Sequence, residues 1–135
     1  MAQIGYIIIC DEVFENQNRG FTINNPYVQL TPYSIPGEFS FSLSFSIFDI
    51  KPTEQYRILV HLKSPKEIIW EADINITAKD EAKNVSHTLM NVPFKNLLLT
   101  EEGLYKAIIE VLWDDKKTSK ELIFPVRKRD GDLNG

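Results

Sequence analysis

Residues 39–48 read FSFSLSFSIF, an apolar and a hydroxyl-bearing side chain in turn. A period of two sends alternate side chains to opposite faces of a β-strand. Phe39, Phe41, Leu43, Phe45 and Ile47 therefore share one face, and Ser40, Ser42, Ser44 and Ser46 share the other. A helix would scatter the same rings around its axis. The ring-bearing face must be core, each ring contributing about 1.5–3 kcal/mol on burial. A slip of one residue would bury serines and wet the rings, so the pattern also fixes register. The serine face is expected to meet water, or at most a thin cover.

The same period runs through most of the chain. Strands are predicted over 4–10, 21–30, 56–63, 69–76, 85–92, 104–113 and 120–127, besides 39–48. Ile58, Val60 and Leu62 fall on one face, as do Trp70, Ala72, Ile74 and Ile76. So do Tyr105, Ala107, Ile109, Val111 and Trp113, and then Leu122, Phe124 and Val126. Turn residues punctuate these runs at Asn18-Arg19-Gly20, Ile35-Pro36-Gly37, Lys51-Pro52, Ser64-Pro65 and Asp114-Asp115-Lys116-Lys117. Pro26 and Pro125 sit inside strand-like runs, which places those segments at sheet edges or bulges, because proline cannot donate to a ladder. Pro93 to Gly103 reads as a long crossover. Short strands with frequent turns indicate an all-β antiparallel sandwich; the alternative is an up-and-down β-barrel, marked by pairing of first and last strands.

Composition agrees with one globular domain over 1–128, followed by a polar tail over 129–135. The chain has 135 residues, 43% hydrophobic and 25% charged. A core is affordable at this length without staples. The net charge of −4 has the wrong sign for non-specific nucleic-acid binding. One cysteine, Cys10, excludes an intrachain disulfide. The opening MAQIGYIIICDEV lacks a basic leader and a long apolar run, so neither a signal peptide nor a membrane span is expected, and a cytoplasmic location is.

One local pattern narrows the fold. Gly103-Leu104-Tyr105 resembles the tyrosine corner of immunoglobulin-like sandwiches, in which a tyrosine at the start of strand F bonds back to upstream backbone. Ala107 stands where the inter-sheet cysteine would be. On that alignment 39–48 is strand B, 56–63 strand C, 104–113 strand F and 120–127 strand G.

The chain from about residue 4 to 127 also resembles a family of small, uncharacterised bacterial or phage proteins of unknown function. The matching features are the apolar run into Cys10-Asp11-x-Val13, the Arg19-Gly20-Phe21-Thr22 turn, the phenylalanine-rich strand, the Leu62-x-x-Pro65 turn and Gly103-x-Tyr105. The resemblance implies an immunoglobulin-like sandwich and carries no activity, substrate or catalytic residue.

Chemistry is sparse. His61 and His87 fall in strands, and His61 should point away from the core; neither has a catalytic setting. Cys10 stands beside Asp11 and Glu12, which would raise its pKa, and is expected to be inert. Acidic residues would gather at one end of an up-and-down arrangement: Asp11, Glu12 and Glu15, then Asp49, then Asp80 and Glu81, then Asp114 and Asp115. Such a set could hold calcium, but Lys79, Lys83, Lys116 and Lys117 share those loops. No metal or cofactor is therefore expected.

Strand 104–113 breaks the wet-face rule. Its non-core face carries Leu104, Ile108 and Leu112 beside Lys106 and Glu110. Leu59 and Ile123 add to it if strands C, F and G are neighbours. Leu59, Leu104, Ile108, Leu112 and Ile123 then form an exposed apolar patch ringed by Arg57, Lys63, Lys106 and Glu110, unless the N-terminal strand or the 93–100 segment covers it. The expected function is a non-enzymatic protein-interaction module, self-associating or binding a protein partner through this patch, without nucleic acid or membrane. The alternative is a small-ligand or calcium-binding sandwich using the acidic loops.

Overall fold

Alternation becomes architecture in a computed structural model that describes residues 1–15, 21–51, 54–77 and 87–129. The turn at 18–20, Pro52, the loop acids Asp80 and Glu81 with Lys79 and Lys83, and the tail from 130 lie outside the described residues. The eight strands are β1 (Gln3–Glu15), β2 (Phe21–Tyr27), β3 (Gly37–Phe48), β4 (Gln55–Lys63), β5 (Ile68–Thr77), β6 (His87–Leu99), β7 (Gly103–Trp113) and β8 (Lys116–Val126). They form two four-stranded antiparallel sheets, ordered β2-β1-β3-β6 and β5-β4-β7-β8. The strands predicted as C, F and G (β4, β7, β8) are neighbours in one sheet. No ladder joins β1 to β8 among the described residues, so the barrel is excluded and the fold is a β-sandwich.

The two inner faces make one core. Phe41 is 2% exposed, and Leu43, Phe45 and Ile47 are fully buried. They meet Ile58 and Val60 of β4, Tyr105, Ile109 and Val111 of β7, and Phe124 and Val126 of β8. Pro26 lies in β2 and Pro125 in β8, both edge strands as their missing N–H requires.

Four boundaries differ from the sequence reading. β8 begins at Lys116 and not at 120, because Lys116 to Ser119 already pair with β7. β1 continues to Glu15, because Cys10 to Glu15 pair with β2. The predicted strand 21–30 ends at Tyr27; Leu30 then crosses to the second sheet and pairs parallel with Val126. The segment from Pro93 is strand, not crossover: β6 runs to Leu99 alongside β3. A bulge hides it, since Phe41 pairs with Phe94 but Phe39 pairs with Leu97. Inward positions are therefore Met90, Val92 and Phe94 before the bulge, and Leu97 and Leu99 after it. Asn96 supplies the extra residue in a left-handed conformation, φ 55°.

The serine face is corrected at its centre, while Ser40 is exposed and Ser46 half-buried. Ser42 is 6% exposed and Ser44 fully buried. No further layer is needed for this. Ser44 lies on the central strand opposite Ile8 and Asn91, and Ser42 opposite Cys10 and Pro93. Short side chains between taller ones form a trough, and Tyr6 closes it by a 2.8 Å hydrogen bond between its hydroxyl and Ser44 Oγ. The row has a structural task as well. β1 bulges opposite Ser46 and β6 bulges opposite Ser40. Ser46 Oγ accepts the Tyr6 N–H at 3.1 Å and Ser40 Oγ accepts the Asn96 N–H at 3.0 Å. Each hydroxyl thus serves a backbone donor at a bulge, which would otherwise lack a ladder partner.

Candidate functional site

The corner motif forms. Tyr105 donates from its hydroxyl to the Glu101 carbonyl at 2.7 Å, fully buried. Gly103, two residues before it, has φ +142°, and a Cβ there would meet Pro65 Cγ at 2.6 Å. The Leu62-x-x-Pro65 turn and the Gly103-x-Tyr105 corner therefore interlock, fixing the start of β7 against the end of β4.

Register sets out the outer face of the second sheet row by row. On β4, Arg57, Leu59, His61 and Lys63 face outward. Leu59 lies between Asp73 of β5 and Glu110 of β7; His61 lies between Glu71 and Ile108. Leu112 lies between Arg57 and Lys117, Ile108 between His61 and Glu121, and Lys106 between Lys63 and Ile123. All five predicted patch residues share this face. Leu104 (59% exposed) and Ile123 (49%) stand out into solvent on adjacent strands, flanking Pro125. Leu59, Ile108 and Leu112 are half-buried. Charged side chains interleave with these three instead of ringing them. β1 and β6, the segments that could have covered the face, belong to the other sheet.

Ion pairs lace the same face. Arg57 makes a fork on Asp73, with Nε at 2.9 and 3.0 Å from the carboxylate oxygens and Nη2 at 2.6 Å. That bond holds the Asp73 carboxyl below its ordinary pKa. Lys117 Nζ approaches Glu110 at 3.3 Å. His61, outward as predicted, lies 3.4 Å from Glu71 and 3.9 Å from Glu110, contacts that become ion pairs when the imidazole is protonated. Sequence reasoning did not single out Glu71 and Asp73. Only the β4–β5 register, invisible in a single strand, sets them beside His61 and Arg57.

Other candidate residues separate. Asp11, Glu12 and Glu15 stand within β1, not in a loop. Asp49 follows β3 at the end where β1 begins, since Gln3 pairs with Phe48, and so lies away from Glu15. Among the described residues no three His, Cys, Asp or Glu side chains are placed to hold a metal ion. Cys10 is fully buried on the trough side of β1, and burial first, then Asp11, pushes its thiol pKa up. His87 opens β6 opposite Phe48. No helix of the described residues is long and apolar enough to cross a membrane.

No curated protein matches the chain. A family described only as of unknown function, DUF6941, matches residues 5–126, a span that takes in all eight strands nearly end to end. The chain belongs to that family.

Proposed function

We propose that this chain is a non-enzymatic, cytoplasmic interaction module built on an immunoglobulin-like sandwich, and that it self-associates through the outer face of the β5-β4-β7-β8 sheet. The carrying observation is the pair Leu104 and Ile123, apolar, exposed and adjacent on a face that no described segment overlies. Apolar groups gathered this way on a sheet favour contact with protein over water. The face carries both signs of charge, with Arg57, Lys63, Lys106 and Lys117 among Glu71, Asp73, Glu110 and Glu121. A second copy can therefore meet it in an isologous contact without uniform repulsion.

The immunoglobulin-like reading is supported by three features. The order β5-β4-β7-β8 corresponds to C′-C-F-G, β1-β3-β6 corresponds to A-B-E, and the tyrosine corner is in place. The enclosed, pKa-raised Cys10 supports the non-enzymatic part, because a reactive thiol needs access and a lowered pKa.

Sedimentation velocity over a concentration series tests the self-association. The expected result is a dimer that the double substitution Leu104→Glu, Ile123→Glu converts to monomer while the β-sheet circular dichroism is retained. A wild-type chain that stays monomeric at high concentration would sink the reading.

A further inference from the structure

Among the described residues the sandwich has four edge strands, and three are closed to an incoming strand. An edge presents unpaired N–H and C=O groups, which proteins usually blunt with proline, lysine, bulges or a covering segment. β2 carries Pro26 beside the left-handed Asn25, φ 56°. β6 carries Pro93 and the Asn96 bulge. β8 carries Lys116, Lys117 and Lys120, the last reaching across the sandwich so that its Nζ donates to Gly5 O at 2.8 Å. Its C-terminal half is covered by backbone: Leu30 N–H bonds Pro125 O, and Arg127 N–H bonds Leu30 O, both at 3.0 Å.

Among the described residues, β5 has none of these devices. Ile68–Thr77 contains no proline, glycine, lysine or left-handed residue. Its irregularity lies at the first step, between the pairs Lys63–Ile68 and Leu62–Trp70; Trp70 to Thr77 runs regular against β4. Its only sheet partner among the described residues is β4. The inner row Trp70, Ala72, Ile74 and Ile76 is half-buried, while Ile58 and Val60 beside it on β4 are 0% exposed. The outer row is acidic: the Glu71 side chain is 65% exposed and that of Asp73 46%. A cleft of about 420 Å³ lined by Arg57, Leu59, His61, Glu71, Ala72 and Asp73 opens on that side.

We propose that the free edge of β5 docks an extended segment of a partner protein in which apolar and cationic residues alternate. Main-chain hydrogen bonds supply the attachment, as in strand addition generally, and alternate side chains supply the choice. The apolar row of the incoming strand completes the burial of Trp70, Ile74 and Ile76. Its lysines or arginines lie over Glu71 and Asp73. The net charge of −4 steers a basic segment toward the chain. A second copy fits this edge less well. Centred antiparallel on Ala72 or Asp73, it sets Glu71 against Asp73 or Asp73 against itself. Shifting the centre to Ile74 relieves the repulsion but shortens the overlap.

The probe is a blocked decapeptide of alternating valine and lysine, titrated into the full chain by NMR and calorimetry. Saturable binding with amide shifts concentrated on residues 68–77 is expected. A scrambled peptide of the same composition should bind about tenfold more weakly or worse, as should the alternating peptide against Glu71→Lys. Equal binding of the two peptides, shifts mapping elsewhere, or no saturation would overturn the proposal. So would a homodimer whose amide protection centres on β5. Leu104→Glu, Ile123→Glu leaves peptide binding unchanged, so failure of the face and failure of the edge are read separately.

Discussion

The outward faces of the two sheets are opposites, and the difference separates direction from exposure. On β3 the outward side chains are serines, yet Ser44 is fully buried because Ile8, Asn91 and Tyr6 stand taller around it. On β7 the outward side chains include leucines, yet Leu104 is 59% exposed at the open end of its row. Alternation fixes which way a side chain points. Whether water reaches it depends on the height of its cross-strand neighbours, which is a property of register.

A matched pair of substitutions tests that contrast most severely. Ser44→Leu forces three extra carbons into the closed trough against Tyr6 and should cost about 1–3 kcal/mol. Ser119→Leu, opposite Glu110 on the open face, should change stability by no more than about 0.5 kcal/mol. Urea denaturation measures both. Equal costs would mean the trough is not closed.

The two bulge-serving serines come next. Ser46→Ala leaves the half-buried Tyr6 N–H without its acceptor and should cost about 1–2 kcal/mol. Ser40→Ala leaves the Asn96 N–H exposed, where water replaces the hydroxyl, and should cost about 0.5 kcal/mol or less. Reversal of that order in denaturation midpoints would refute the burial argument, although not the hydrogen bonds.

What could be read beforehand follows from the same distinction. The rings of β3, the core row of β7, the edge prolines and the corner at Tyr105 are each properties of one strand or one turn, and the sequence shows them directly. The end of β1 and all of β6 beyond Pro93 were hidden. In β1 the acids Asp11 and Glu12 read as loop although they continue a ladder, and in β6 the bulge at Asn96 moves the inward positions from even to odd numbers. The five predicted residues lie on one face because they share parity along their strands. Their interleaving with Glu71, Asp73 and Lys117 was not legible, because it depends on pairings between strands distant in sequence.

Tyr105 sharpens the comparison from the core side. Tyr105→Phe removes the bond to Glu101 and should cost about 0.5–1.5 kcal/mol. Burial also raises the phenol pKa of Tyr105, and of Tyr56, above the ordinary 10.0. In the unfolded chain the phenols lose protons near that ordinary value, while the folded protein still holds them. Stability is therefore full below about pH 10 and falls as pH rises toward the raised values. The Phe variant should lose part of that alkaline fall. Parallel slopes for the two proteins between pH 9 and 11 would show that Tyr105 is not the group responsible.

Asn91 carries the smallest expected effect and the finest test of the trough. It faces Ser44 from β6, and its Oδ1 is buried with no hydrogen-bond partner among the described residues. A buried acceptor without a donor is a liability, so replacing it by an apolar group of similar size removes a cost. Asn91→Leu should leave stability within about 0.5 kcal/mol of wild type or raise it slightly, the new side chain lying beside Leu89 and Pro93. The same change at Ser44 is the large loss argued above, because there the side chain is short by necessity. A loss above about 1 kcal/mol at Asn91 would mean that the amide has a donor in solution. The floor of the trough would then be wet, and the contrast with the open sheet would shrink to one of degree.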